Sequence, residues 1–159
     1  MQPFSLTKPS PAFPARDGLV HAALLLLLLG VLFPGVWLRG EVIAPGDVLY
    51  AAPPWSAHAP EGFTRPGNPQ AVDPVAAFLP WYALGTEALR AGRLPLWNPL
   101  GFGGMPLLAN YQSAVLYPPR LLHLAFGLAW GTTLLVLLKL WWCGMAAWWC
   151  GRGLGLPRG

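Results

Sequence analysis

Three neutral amides, Asn98, Asn110 and Gln112, lie in one short stretch with four aromatic residues, Trp97, Phe102, Tyr111 and Tyr117. Side-chain amides both donate and accept hydrogen bonds, and aromatic rings offer an apolar face. This combination suits a sugar, whose hydroxyls need donors and acceptors and whose C–H face stacks on a ring. It suits still better a loop in which the amides cap their own backbone. Other chemistry is hard to find. His58 and His123 are lone histidines, and there is no Ser/His/Asp arrangement, no phosphate loop and no zinc spacing. Cys143 and Cys150 form no CxxC pair, and on one helix they would be separated by roughly 10 Å of rise, too far for a mutual disulfide. They read as small apolar packing residues.

The stretch carrying the amides, Gly92 to Pro119, is rich in proline and glycine, and Arg93 is its only charge. A disordered linker would lack its Trp, Phe, Tyr and Leu, and a core helix or strand would not tolerate its prolines and glycines. It reads as an ordered, irregular loop held against a membrane surface. Composition agrees: 55% of the chain is apolar, 10% is charged and nine residues are Trp, a residue that favours membrane–water interfaces. The net charge of +4 comes without a Lys/Arg run, so nucleic acid is not expected as a partner.

Two apolar segments flank the loop. Residues 18–38 run almost without charge, and about twenty helical residues cover the hydrocarbon core. Pro34-Gly35 is placed to kink the far end. A cleaved signal peptide is the rival reading, but the run is too long for one and no small-x-small site follows closely. Residues 121–150 form the second span, interrupted by Lys139. Lys8 and Arg16 precede the first span and Arg152 and Arg158 follow the second. In the connection, Arg39, Arg65, Arg90, Arg93 and Arg120 balance Glu41, Asp47, Glu61, Asp73 and Glu87. The positive-inside rule then places both termini in the cytoplasm and the connection outside. The expected organisation is a cytoplasmic tail (1–17), a first membrane helix (18–38), an extracytoplasmic loop (39–120), a second membrane helix (121–150) and a cytoplasmic end (151–159). The fold class is an all-α membrane protein, its two transmembrane helices joined by a long loop with short interfacial helices.

Thr132, Lys139, Cys143, Ala146 and Cys150 follow helical spacing and make one small or polar stripe, the kind that packs helices together in lipid. Lys139 near mid-span must either snorkel to water or meet a partner. The first span offers only His21 to meet it, which points to further helices. Within the loop, residues 74–91 read as an amphipathic helix lying in the membrane interface. Asp73 is expected as its N-cap, Pro74 as its first residue, Pro80 as a kink and Gly92 as its stop.

The order of Asp73, Pro80, GRLPLWNP (92–99), GGMP (103–106), ANYQ (109–112) and Tyr117-Pro118 resembles the first extracytoplasmic loop of YfhO-type bacterial membrane proteins, and RGLGL (152–156) is similar to their link toward a third helix. The resemblance spans roughly residues 42–156. It implies a relation to GT-C glycosyltransferases, many-helix enzymes of the bacterial cytoplasmic membrane that take a sugar from a polyprenyl-phosphate carrier on the outer face. That family continues for many more helices, so the chain is expected to be an N-terminal part, inactive without the rest. Such a transfer needs a carboxylate to take the acceptor's proton or to position a metal at the carrier phosphate. Asp73 matches the family's loop acid, and Asp47 stands soon after the first span, where GT-C enzymes place theirs. Arg93, Trp97, Asn98, Asn110, Gln112 and Tyr117 are the expected substrate-binding residues. Arg90, Arg93 and Arg120 are the cations available to a phosphate, or simply to phospholipid. No metal ligands are assigned, and a divalent cation at the carrier phosphate is the one cofactor the resemblance allows. The expected partners are membrane lipid, the polyprenyl-phosphate sugar donor and further helices. The alternative is a non-catalytic membrane protein whose outer loop is an assembly, sugar-binding or lipid-binding surface.

Overall fold

A computed structural model describes residues 15–156 of the chain. Most of the expected cytoplasmic tail, with Lys8, and the end of the chain, with Arg158, lie outside the described residues. The protein is mostly helical, and by length and composition two stretches, Ala15–Leu32 and Pro118–Gly153, could cross a membrane.

The chain divides into two units. The first holds helix α1 (Ala15–Leu32), the short helix α2 (Pro34–Arg39) and the end of α4 (Leu121–Gly153) from Leu137 onward. The first helix begins three residues before the expected position and stops at Phe33. Pro34 cannot donate a backbone hydrogen bond, so the span is two helices where one with a kinked end was expected. Contacts fix the direction of the pair. Gly18 lies under the Trp148 ring, where a Cβ would sit 3.5 Å from it, and Gly144 lies against Leu25, where a Cβ would come within 2.8 Å. The Trp141 indole donates to the Ala22 carbonyl at 3.2 Å. From the Gly18–Trp148 contact to the Leu25–Gly144 contact, numbers rise along α1 as they fall along α4, so these helices are antiparallel.

The packed face of α4 is therefore Trp141, Gly144 and Trp148. In the expected packing stripe, Lys139, Cys143, Ala146 and Cys150 are all exposed, and both cysteines are free thiols. Small glycine surfaces that admit large side chains decide this packing.

The second unit runs from Glu41 to Val136. Two 3-10 turns (Gly46–Ala51 and Trp55–His58) lead to a π-helical turn (Pro74–Phe78) and helix α3 (Leu79–Arg90). The 74–91 helix is thus present but split just before Pro80. Asp73 makes no side-chain cap bond. It already has helical angles, and the N–H groups of Val75 and Ala76 donate to the Val72 carbonyl at 3.0 and 2.8 Å, leaving no need for the carboxylate. The stop behaves as expected. Gly92 N–H bonds Leu89 at 3.0 Å and Arg93 N–H bonds Ala88 at 2.9 Å, closing α3 with a Schellman motif.

Beyond α3, strand β1 (Trp97–Asn98) pairs antiparallel with β2 (Met105–Pro106), Trp97 opposite Pro106 and Asn98 opposite Met105. Helix α4 is broken at Gly127, whose φ of 76° and ψ of 177° belong to a region essentially restricted to glycine. The break lays the His123 backbone beside Gly131, where a Cβ would come within 2.7 Å of the His123 Cα.

Candidate functional site

The second unit is organised around a buried polar spine. Ser113, fully buried, points its hydroxyl at the carbonyl oxygens of Leu107 and Asn110, each 2.7 Å away. Its own carbonyl accepts from Arg120 Nη1 at 3.1 Å. The Arg120 guanidinium, also buried, lies over the ring of Tyr82 on α3. Tyr82 in turn packs on His123, their centroids 5.5 Å apart. His123 Nε2 is 3.1 Å from Thr132 Oγ1, whose proton goes to the Leu128 carbonyl at 2.7 Å. Arg90 closes the arrangement. Its Nη2 donates to the carbonyls of His123 and Leu124 at 3.2 and 3.0 Å. Those carbonyls lie in the turn just before the break at Gly127, where a guanidinium can reach them.

This spine sorts the three expected cations. Arg120 and Arg90 are committed to backbone carbonyls. Arg93 is exposed and lines a cleft of about 350 Å³ with Trp97, Pro95 and Leu96, against Leu84, Glu87 and Ala88 of α3. A second cleft, of about 540 Å³, lies between Ala77, Pro80, Trp81 and Leu84 on one side and Asn98, Phe102 and Met105 on the other. Glu87 and Leu84 line both clefts. An exposed carboxylate thus stands between two largely apolar hollows, with a cation and an indole at the rim of the smaller one. The Trp97 ring is held by Gly104, where a Cβ would lie 2.7 Å from Nε1.

The expected site residues do not all gather here. Asn98 lines the larger cleft but is 4% exposed, and its Oδ1 accepts from the Leu100 N–H at 2.9 Å. Asn110 Oδ1 accepts from the Gln112 N–H at 3.1 Å and caps the 3-10 turn Tyr111–Ser113. Both amides therefore take the loop-capping role that the sequence left open. Gln112 and Tyr117 are exposed and line neither cleft. Of the acids, Asp47 is half-buried, and its Oδ2 accepts from the Gly67 N–H at 2.7 Å, leaving Oδ1 available. Asp73 is exposed. The turn carrying Asp47 packs on the turn that follows Asp73. Among the described residues, no three His, Cys, Asp or Glu side chains come together as a metal site.

Sequence reasoning did not single out Glu87, Tyr82 or Ser113. Glu87 lies on the apolar side of α3 at helical spacing from Leu84, a signal that was present. Nothing local marked Tyr82 or Ser113, whose partners are distant in the chain.

Compared with known proteins, the chain matches no family model, no curated protein and no solved structure.

Proposed function

We propose that the protein is a membrane-embedded component of a GT-C-like glycosyl transfer system of the YfhO type, acting on a polyprenyl-phosphate-linked sugar at the outer face of a bacterial cytoplasmic membrane. One observation carries this reading. The segment between the apolar helices is a folded body whose clefts expose an acid, a cation and an indole together, Glu87, Arg93 and Trp97. A glycosyl carrier of this type presents an anionic phosphate, a sugar face and an apolar chain, and the cleft offers a group suited to each. Asp47, whose carboxylate is oriented by the Gly67 N–H, is the first candidate for the acid of the transfer. Asp73 is the second.

Membrane embedding is supported by α1, which exposes Leu24, Leu26, Leu27, Leu28 and Val31. Leaving such half-exposed side chains in water forgoes about 1–2 kcal/mol each, a loss that hydrocarbon surroundings remove. Both termini are assigned to the cytoplasm, and further helices complete the site.

The test is transfer of labelled sugar from a synthetic polyprenyl-phosphate donor by membranes containing the intact gene product. Asp47→Asn is expected to abolish transfer while insertion is unchanged. Full transfer by both Asp47→Asn and Asp73→Asn would remove the catalytic reading. One observation favours that outcome: the Asn98 and Asn110 side-chain carbonyls are already bonded to their own loop. On this second reading the unit is a non-catalytic assembly or binding surface.

A further inference from the structure

The first unit contains its own cleft, of about 550 Å³, lined by the start of α1 and the end of α4. Its rim carries two guanidinium groups, Arg16 and Arg152, and the ring of His21, which stacks on Trp148 at 5.5 Å with an interplanar angle of 21°. Asp17 is the one carboxylate among the lining residues and is itself engaged. Arg152 gives one bond to the Leu156 carbonyl at 2.9 Å, and most of its donors remain free. Arg16 stands at the positive end of the α1 dipole, where a cation is disfavoured and an anion is favoured. From the rim, Val20 and Leu24, 53% and 56% exposed, lead away along α1.

We propose that this cleft seats the phosphodiester of an anionic phospholipid, with an acyl chain along Val20 and Leu24. Two guanidinium groups against one carboxylate leave a single positive charge, the complement of one phosphodiester monoanion. A zwitterionic lipid would bring an ammonium group toward the same two arginines. A soluble phosphate would leave the apolar track uncovered. Basic hollows between membrane helices are suited to such headgroups. The proposal rests on the membrane embedding of the first unit and is independent of sugar transfer.

The experiment is native mass spectrometry of the protein released from micelles containing equal amounts of phosphatidylglycerol and phosphatidylcholine. Wild type is expected to retain phosphatidylglycerol at least tenfold more than phosphatidylcholine. Arg16→Gln/Arg152→Gln should lose the preference. Arg65→Gln, which removes an exposed charge of the second unit, should keep it. Should the double variant lose its helical circular dichroism, the Arg16→Gln single variant gives the same comparison at an exposed position. Equal retention of the two lipids by wild type, or a preserved preference in the arginine variants, would overturn the proposal. So would displacement of the lipid by an equal concentration of glycerol 3-phosphate, which would mark a site for a soluble anion.

Discussion

The guanidinium carbon of Arg120 lies 3.5 Å from the centroid of the Tyr82 ring. This contact ties the Pro/Gly/aromatic segment to α3 through a buried cation that has no carboxylate beside it. Arg120 Nε is buried without a hydrogen-bond partner among the described residues, so the ring face and the Ser113 carbonyl are what stabilise the guanidinium.

Tyr82→Leu should therefore lower the stability of the second unit by about 1–2 kcal/mol, the worth of a desolvated cation–π contact. Tyr82→Phe keeps the ring face and should be close to neutral. The readout is the rate of tryptic cleavage after Arg93 in detergent. Equal rates for the Leu variant and wild type would show that the contact carries no stability.

Gly127→Ala and Gly30→Ala make the same chemical change in opposite settings. Gly127 has backbone angles that alanine adopts only with strain, a cost of about 1–3 kcal/mol. Gly30 lies inside α1 with nothing within 4 Å of its Cβ position, and alanine there should be neutral or stabilising. Thermal unfolding should fall for Gly127→Ala and hold or rise for Gly30→Ala. A shared sign would mean that the α4 break is not set by Gly127.

Arg93 and Arg90 should separate binding from folding. On the proposed function, Arg93→Gln weakens binding of the anionic donor on the order of tenfold and leaves thermal unfolding unchanged. Arg90→Gln leaves the His123 and Leu124 carbonyls without their guanidinium and should destabilise the unit instead. Donor titrations and thermal unfolding of both variants check the pair. Unchanged donor affinity in Arg93→Gln would remove that residue from the site.

Asn98→Ala should act as a folding defect. The exposed Leu100 turn loses its side-chain acceptor and the buried Asn98 side chain is truncated, at a cost of about 0.5–1.5 kcal/mol, and the β1–β2 hairpin loosens. A sugar-binding role for this amide predicts the opposite pattern, lost binding with intact protease resistance.

Much of this was legible where a local rule acts alone. Pro34 interrupted the first apolar run, although as a full break where a kink was expected, Gly92 closed α3, and the two apolar runs became the two membrane-length stretches. Legibility failed where distant atoms compete. Asp73 had every mark of a cap, but the Val72 carbonyl reached the same N–H groups first. The polar stripe on α4 had the right spacing, yet Gly18 and Gly144 offered Trp148 and Leu25 closer seats on another face. Asn98 and Asn110 could equally cap or bind, and only the loop geometry showed that their carbonyl oxygens were occupied. Arg120 looked like a surface cation because its ring partner lies far upstream in the chain.

The spine also dictates an order of assembly. Three points between Glu41 and Pro119 find an anchor in residues synthesised later: Ser113 in Arg120, Tyr82 in Arg120 and His123, and the Ile43 N–H in the Thr133 hydroxyl, which accepts from it at 2.9 Å. The body between the apolar helices cannot reach its final packing while it emerges from the ribosome. It must wait, exposed and unsupported, until the start of the second apolar helix has been made. Its biogenesis is thus coupled to completion of the very helix that follows it.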